Sequence, residues 1–307
     1  MDKRKIIKFV GITLAIAWTI QIIVSIYMVN NPGSTGTLVF RAGLAVCMYV
    51  PMFAVLIVNR NLKGMGWKPK FKGNIGWLIF AAYIALPLTI MGAAVFFLIF
   101  PDLFDTTGSY LIAQGEAAGV DLVSQLGEAG LTIQQYMLIS SISLIYVPFI
   151  NIVTAIGEEA GWRGFLYPEL NKSFGKIGTW IIGGTIWGAF HFPAIILGGY
   201  EYGVDYPGKP VSGLIVFTII CIAIGVIEEI IYSRTKCIWY AALFHGSFNG
   251  MATIPQLVIN ANNPDLNKYL ILGPMPNGLI AGIPLVALAV IMGVIAVRKD
   301  KNKEVSA

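Results

Sequence analysis

The sequence predicts an all-α polytopic membrane protein, a bundle of about eight transmembrane helices with both termini in the cytoplasm. Of its 307 residues, 56 % are hydrophobic and 12 % are charged, and the mean hydropathy is +0.74. Ordinary soluble domains carry roughly 25 % charged residues. This composition excludes a disordered chain, a nucleic-acid-binding tail and a typical soluble enzyme. The net charge of +5 is therefore expected as an asymmetry between loops.

Eight segments are long and apolar enough to cross a bilayer, which takes about 20 residues. They are 6–29, 37–58, 75–100, 135–157, 177–198, 212–232, 238–259 and 278–297. The first has a basic start like a signal peptide, but its apolar run is too long and no small-residue cleavage site follows. We therefore interpret it as a retained helix. Residues 1–307 are treated as a single membrane domain, with a core at 135–255 that carries the motifs described below.

Basic residues are concentrated in alternate connecting segments. If the N-terminus is cytoplasmic, the segments on that side hold 18 of the 21 Lys and Arg residues: 1–8, 60–72, 163–176, 234–236 and 298–303. The opposite side holds Lys209 and Lys268, and Arg41 lies inside the second helix. Eight acidic residues collect on that opposite side: Asp102, Asp105, Glu116, Asp121, Glu128, Glu201, Asp205 and Asp265. The positive-inside rule then predicts cytoplasmic N- and C-termini.

Two other features carry no predicted chemistry. The stretch 101–134 is Gly-rich and acidic, and its residues 121–126 are expected to form a short surface helix. The three cysteines, Cys47, Cys221 and Cys237, form no C-x-x-C pair. Their odd number argues against a disulfide framework, so we interpret them as buried thiols.

The first ionisable cluster inside the predicted membrane region lies at 157–165. Glu158 and Glu159 are adjacent, which separates them by about 100° around a helix. Arg163 follows Glu159 by four residues, the favourable order for an ion pair. One carboxylate is therefore neutralised and the other, Glu158, is left to accept and return a proton. The alternative is an interfacial helix end with a salt bridge.

The chain's two histidines lie in two further clusters. His191 is about 14 residues, or roughly 21 Å, from the cytoplasmic end of its predicted helix. It marks a functional site or is a core histidine bonded to a neighbouring carbonyl. His245 and Asn249 share one helix face, and the small Gly246 and Ser247 allow close approach of neighbouring helices. The alternative for this pair is polar contact between helices.

Together these groups favour hydrolysis of an acyl or peptide bond without a Ser or Cys nucleophile. A carboxylate with an imidazole can activate water, and an imidazole with an amide can stabilise an oxyanion. The set Glu158, His191 and His245 could instead hold zinc, although no His-Glu-x-x-His helix is present in the sequence. A non-enzymatic membrane protein, such as an immunity factor, scaffold or transporter, is the third hypothesis, because Glu/His chains also relay protons.

At these residues the chain resembles the CAAX-processing and bacteriocin-processing family of intramembrane endopeptidases, the type II CAAX prenyl endopeptidases. That family carries Glu-Glu-x-x-x-Arg, Phe-x-x-x-His and His-x-x-x-Asn on successive helices of an eight-helix fold. The corresponding residues here are Glu158-Glu159…Arg163, Trp187…His191 and His245…Asn249. The order and spacing of three motifs make the resemblance specific over residues 135–255.

The resemblance implies a catalytic role for four side chains. Glu158, with His191, activates the attacking water. His245 and Asn249 stabilise the tetrahedral oxyanion. No cofactor is implied, and zinc held by Glu158, His191 and His245 is kept as the alternative.

The resemblance also implies supporting residues. Glu159 and Arg163 form an ion pair that fixes the helix, and Trp187 stands where the family usually has Phe, a change expected to have little effect. Beside them, Glu228 and Glu229 near the end of the sixth helix are interpreted as interfacial carboxylates paired with basic neighbours. A role at the substrate entrance is the alternative for these two acids.

The implied partners are the lipid bilayer and a peptide or protein substrate, including lipidated and C-terminal segments, with no nucleic acid. The oligomeric state is left open. The expected location is a bacterial or archaeal cell membrane. Under the predicted topology the four candidate catalytic residues, Glu158, His191, His245 and Asn249, fall in the cytoplasmic half to the middle of their helices, so the active site is expected to face the cytoplasm.

Overall fold

The computed structural model describes residues 2–305. The structure is 75 % helical, and none of the described residues forms a strand. Its described helices include stretches long and apolar enough to cross a membrane: Lys3–Asn30, Ser34–Asn59, Ile75–Ile99, Val147–Gly198 and Val211–Thr235. Large apolar side chains such as Ile23, Leu98 and Ile150 are exposed on the outside of this bundle, as contact with lipid requires. The predicted all-α membrane class is confirmed, while the count of eight spans and the orientation stay predictions.

The N-terminal half forms eight helices. They are α1 (Lys3–Asn30), α2 (Ser34–Cys47), α3 (Val50–Asn59), α4 (Ile75–Tyr83), α5 (Ala85–Ile99), α6 (Ser109–Ala117), α7 (Leu122–Glu128) and α8 (Ile133–Ser143). Two predicted spans are each formed by two consecutive helices. The span predicted at 37–58 corresponds to α2 and α3, and the span predicted at 75–100 corresponds to α4 and α5. The short surface helix expected at 121–126 corresponds to α7. The Asp121 side chain caps the N-terminus of α7 by accepting a hydrogen bond from Ser124 N.

The C-terminal half carries the three motifs. Its helices are α9 (Val147–Gly161), α10 (Tyr167–Phe190), α11 (Phe192–Gly198), α12 (Val211–Thr235), α13 (Ile238–Met251), α14 (Leu266–Tyr269) and α15 (Ile283–Val305). The most buried candidate span is α12, which packs against α10, α13 and α15. This central position brings residues of α12 next to the helices that bear the motifs.

The chain between the fourth and fifth predicted spans is helical, where the sequence predicted a loop. The predicted helix 135–157 is interrupted at 144–146, and α9 begins with Pro148 in its first turn, a position that suits proline. Beyond α9 a π-helical turn, Trp162–Leu166, leads into α10 without a break. The change of direction comes at Gly175, whose φ of 61° lies in the left-handed region that glycine adopts readily.

Two other helix ends differ from prediction. The helix predicted at 238–259 ends at Met251, and a 3₁₀ turn containing Pro255 follows, Ile254–Val258. The last helix begins at Ile283 rather than at 278 and continues through the basic segment to Val305. Apolar composition predicted these segments, but it cannot distinguish a buried loop from a helix.

The connecting segments gather at two ends of the bundle. At one end, which we call the basic end, residues 60–72, 167–176, 234–238 and 298–300 meet: Ile238 N donates to Gly66 O over 3.2 Å, and Lys176 pairs with Asp300 over 2.6 Å. At the other, the acidic end, residues 101–134, 199–210 and 260–280 meet. There Asn277 Nδ2 donates to Glu201 Oε2 over 2.6 Å.

Candidate active site

Four side chains predicted to be catalytic line one cavity of about 560 Å³ inside the bundle. Glu158 comes from α9, His191 from the break between α10 and α11, and His245 and Asn249 from α13. His245 and Asn249 reach the cavity together because residues four apart share a helix face. The fold therefore brings together groups that lie up to 91 residues apart in the sequence.

Glu158 is held by two indole groups and not by a cation. Its side chain is 2 % exposed, and its Oε2 accepts from Trp187 Nε1 over 2.6 Å and from Trp162 Nε1 over 3.0 Å. Among the described residues, 2–305, Glu158 forms no ion pair. With Oε2 occupied, Oε1 is the oxygen left for the cavity.

His191 is oriented by the backbone of α10. Its Nδ1 lies 3.0 Å from Trp187 O, and because a carbonyl only accepts, Nδ1 carries the proton in this contact. Nε2 of the neutral ring is then an acceptor. The ring packs against Phe217 and Tyr200, with centroids 4.9 Å and 6.0 Å away, which limits its rotation.

Glu159 lies one residue further on and has different partners. Arg163 Nη1 donates to Glu159 Oε1 over 2.9 Å, as the i, i+4 spacing predicted. Arg163 Nη2 also forms a short ion pair with Glu228 Oε2 from α12. All three side chains are fully buried, so the guanidinium neutralises charge where water cannot.

His245 links this ion-pair cluster to the cavity. Its Nδ1 lies 2.8 Å from Glu159 Oε1 and 3.9 Å from Glu228 Oε1. A carboxylate only accepts, so Nδ1 donates to Glu159 and Nε2 is the nitrogen available to the cavity. Asn249, one turn along α13, is exposed to the same cavity.

The ionic composition of the cluster constrains the charge of His245. Glu159 and Glu228 supply two negative charges, and Arg163 supplies one positive charge. A protonated His245 makes the cluster electrically neutral, which matters because an unpaired charge in a low-dielectric interior is costly. In that state Nε2 is a hydrogen-bond donor.

The interpretation of Glu228 as an interfacial carboxylate is wrong. Glu228 is completely buried and its partner is Arg163 of the predicted motif rather than a basic neighbour on α12. The reason is that α12 continues to Thr235, about two turns beyond position 228, so this residue lies where α12 packs against its neighbours and not at the helix end. Glu229, about 100° around the helix, fits the interfacial interpretation better: it accepts from Trp180 Nε1 over 3.1 Å and lines a basic-end cavity with Lys176 and Lys236.

Sequence reasoning also missed the role of indole groups. Trp162 follows Glu158 by four residues, the same spacing as Glu159 and Arg163, and that spacing was the available signal. Trp187 does more than retain an aromatic ring: its N–H contacts Glu158, and its ring lies 4.5 Å from the Arg163 guanidinium carbon and 5.2 Å from the His245 ring. A phenylalanine there could make only the ring contacts.

The acidic group that the structure assembles contains a buried arginine, which disfavours a metal there. In the described part of the chain, the His, Cys, Asp and Glu side chains whose ligand atoms come within 4.8 Å of one another are Glu159, Glu228 and His245. Glu159 Oε1 and Glu228 Oε2 already contact Arg163, whereas Glu159 Oε2 and Glu228 Oε1 have no hydrogen-bond partner among the described residues. A divalent cation at these oxygens would lie beside a buried guanidinium, which repels it. The alternative zinc set, Glu158, His191 and His245, does not form such a group.

These observations define a class: an integral membrane protein with a buried Glu/His site inside a helical bundle. Residues 140–251, which include every residue of that site, match the family described as type II CAAX prenyl endopeptidase, Rce1-like. The resemblance inferred from the three motifs is confirmed over this domain. The family is named for an endopeptidase.

A similar protein is the CAAX prenyl protease 2 of Methanococcus maripaludis, which is 33 % identical over 67 residues. This match covers 21 % of the present chain and 25 % of that protein. The chain thus matches about a quarter of the length of this curated relative.

Proposed function

We propose that the protein is an intramembrane endopeptidase in which Glu158 and His191 activate water and His245 and Asn249 stabilise the oxyanion. The observation that carries this proposal is Glu158 itself. It is a buried carboxylate without a cation, it has one oxygen fixed by two indoles, and it shares its cavity with two imidazoles and an amide.

In the first step, Glu158 takes a proton from a water molecule as the water oxygen attacks the scissile carbonyl carbon. His191 Nε2, an acceptor in the neutral ring, aligns that water through a second hydrogen bond. The two indole donors fix the carboxylate in place, so little reorganisation is needed when the proton moves. Glu158 then returns the proton to the leaving amine as the C–N bond breaks. General acid–base catalysis of this kind contributes about 10²–10⁴-fold to a rate.

The oxyanion that forms on the carbonyl requires donors on the other side of the cavity. A protonated His245 offers Nε2–H, and its Nδ1–H contact with Glu159 holds the ring. Asn249 offers a side-chain N–H from the next turn of α13. Donors fixed in a water-poor site stabilise developing charge more strongly than donors in water.

The ion pair of Glu159 and Arg163 supports this arrangement without contacting the substrate. It orients His245 through Glu159, and Arg163 also lies against the Trp187 ring that holds Glu158. Zinc bound by the site remains the competing mechanism. Metal analysis of the purified protein separates the two, because the zinc mechanism needs near-stoichiometric metal and is stopped by a chelator.

The proposal is tested by comparing membrane and secreted peptides from cells with the wild-type protein and cells with Glu158→Gln. The amide keeps the shape and still accepts from the indoles, but it cannot act as a base. New peptide C-termini are expected only with the active protein, and they also identify the substrate. Glu229→Gln is the matched control, since this residue lies outside the cavity, and it should give the wild-type pattern.

The same C-termini in cells with Glu158→Gln would overturn the proposal, provided that the variant is present in the membrane at the wild-type level. That result would favour the non-enzymatic hypothesis of an immunity factor or transporter.

A further inference from the structure

The catalytic cavity is open toward the acidic end of the bundle. Its lining continues past the catalytic residues to Tyr200, Glu201 and Asn277, which belong to the loops of that end. No described residue of the basic-end segments, 60–72, 167–176, 234–238 and 298–300, lines it. The positions of the site residues along their predicted helices favour a site that faces the cytoplasm, whereas this lining points the other way.

A second cavity of about 600 Å³ adjoins the first on the same side. The two cavities share seven lining residues at their junction: Arg41, Leu44, Tyr200, Glu201, Phe248, Asn249 and Asn277. From there the second cavity extends to Gln114 of α6, to Gln256 of the 3₁₀ turn after α13 and to Asn267 of α14. Together they form a continuous passage from the acidic-end loops down to Glu158.

The opposite side of Glu158 is closed. Trp162, Arg163 and Tyr167 lie between the carboxylate and the basic end, and each is at most 2 % exposed. The buried cluster of Glu159, Glu228 and Arg163 fills the same region. A peptide chain could not pass this layer without breaking the ion pairs that hold the helices together.

The passage is lined by groups that suit a peptide backbone. The side-chain amides of Gln114, Asn249, Gln256, Asn267 and Asn277 lie along it, and each amide both donates and accepts hydrogen bonds, as a peptide group does. Burial raises the pKa of Glu201, which brings this carboxyl nearer to the neutral, amide-like form. Apolar side chains such as Phe217, Phe248 and Leu270 lie between these groups, so the passage also offers apolar contacts to a bound segment.

The distribution of charge assigns this end to one side of the membrane. The acidic-end loops hold eight acidic residues and two lysines, whereas 18 of the 21 basic residues belong to the other segments. Basic residues remain in the cytoplasm during insertion. The acidic end, with the mouth of the passage, is therefore the outer end.

We infer that the substrate is an extended peptide segment that reaches the site from the outer face of the membrane. This inference rests on the proposed endopeptidase function and adds the side of the membrane from which the substrate enters. It replaces the expectation that the active site faces the cytoplasm.

Accessibility of single introduced cysteines tests the side of entry without requiring activity. Asn267→Cys places a thiol in the passage, and Lys63→Cys places one in an exposed basic-end loop. A membrane-impermeant maleimide should label Asn267→Cys in intact cells and Lys63→Cys only after permeabilisation. The parent protein, whose three cysteines are buried, gives the background. Labelling of Asn267→Cys only after permeabilisation would overturn the inference.

The second measurement uses the substrate identified with Glu158→Gln. A bulky maleimide attached to Asn267→Cys from outside should lower cleavage by about tenfold or more, and the same reagent on Lys63→Cys should leave cleavage unchanged. Inhibition through Lys63→Cys alone, or a cleaved segment that resides in the cytoplasm, contradicts entry from outside. Since labelling is read independently of cleavage, failure of the proposed function and failure of this inference are distinguishable.

Discussion

Glu158 and Glu159 are neighbours in the sequence, yet their surroundings differ in kind. Glu158 is bound by the N–H groups of two tryptophans and faces a cavity. Glu159 is bound by Arg163 and His245 and is fully enclosed. The 100° turn between consecutive helical residues is enough to place one carboxylate where a substrate can reach it and the other where only protein can.

This difference shows how a membrane protein can keep one of two adjacent carboxylates reactive. If both acids contacted Arg163, their charge would be divided over one cation and neither would be free. Here Glu228 of α12 joins Glu159 on the guanidinium, and Glu158 is left with neutral donors. Hydrogen bonds from indoles position a carboxylate without cancelling its charge.

The largest expected effect is on stability and comes from Arg163→Met. Removal of the guanidinium leaves two buried carboxylates, Glu159 and Glu228, with His245 as their one remaining ionisable partner among the described residues. Loss of one partner of a buried ion pair costs about 3–5 kcal/mol. The thermal midpoint of the detergent-solubilised protein should fall strongly. Arg234→Met, at an exposed basic-end position, is the control and should change stability by less than about 0.5 kcal/mol. Equal midpoints for the two variants would show that the cluster does not hold the helices together.

Asn249→Ala should act on catalysis and not on folding, because the side chain is exposed to the cavity. Loss of one oxyanion donor lowers kcat by about 10²–10³-fold, with little change in KM. The rate on the identified substrate measures this effect, and the thermal midpoint serves as the control. A folded variant with kcat within about threefold of wild type would show that Asn249 is not an oxyanion donor, since loss of such a donor lowers kcat far more.

Trp187→Phe sharpens the contrast between hydrogen bonding and ring packing. The ring over Arg163 is kept, but the N–H to Glu158 is lost, and a hydrogen bond to a charged group is worth about 1.5–3 kcal/mol. Activity should fall by roughly 10–100-fold. Trp162→Phe removes the longer bond and should cost less. If Trp187→Phe matches the wild-type rate, the indole does not position the carboxylate.

The smallest effect separates the second pair of adjacent acids. Glu229→Gln should leave stability within about 0.5 kcal/mol, because its carboxylate lies at the partly exposed basic end. Glu228→Gln should cost about 3–5 kcal/mol, since it disrupts a buried ion pair. The thermal midpoints of both variants check this contrast. A lower midpoint for Glu229→Gln than for Glu228→Gln would favour an interfacial position for Glu228.

Spacing within one helix was the most informative part of the sequence. It predicted the ion pair of Glu159 and Arg163, and it placed His245 and Asn249 on one face. Apolar length predicted the membrane class. These features depend on local geometry, which the order of residues determines directly.

Contacts between helices could not be predicted in this way. The partnership of Glu228 with Arg163 depends on how α12 packs against α10 and α13, and the sequence shows only two acids near a helix end. The continuous helix at 158–174 was hidden because its charged residues resemble those of a loop. The direction in which the cavity opens depends on loops distant from the motifs.

The division of roles between Glu158 and Glu159 is tested most directly by making Glu158→Gln and Glu159→Gln in the same purified protein. Cleavage rate and thermal midpoint are measured for both. Glu158→Gln should keep the wild-type midpoint and lose about 10²–10⁴-fold or more in rate, while Glu159→Gln should lower the midpoint. A folded Glu158→Gln variant that cleaves at the wild-type rate would contradict the catalytic role of this carboxylate.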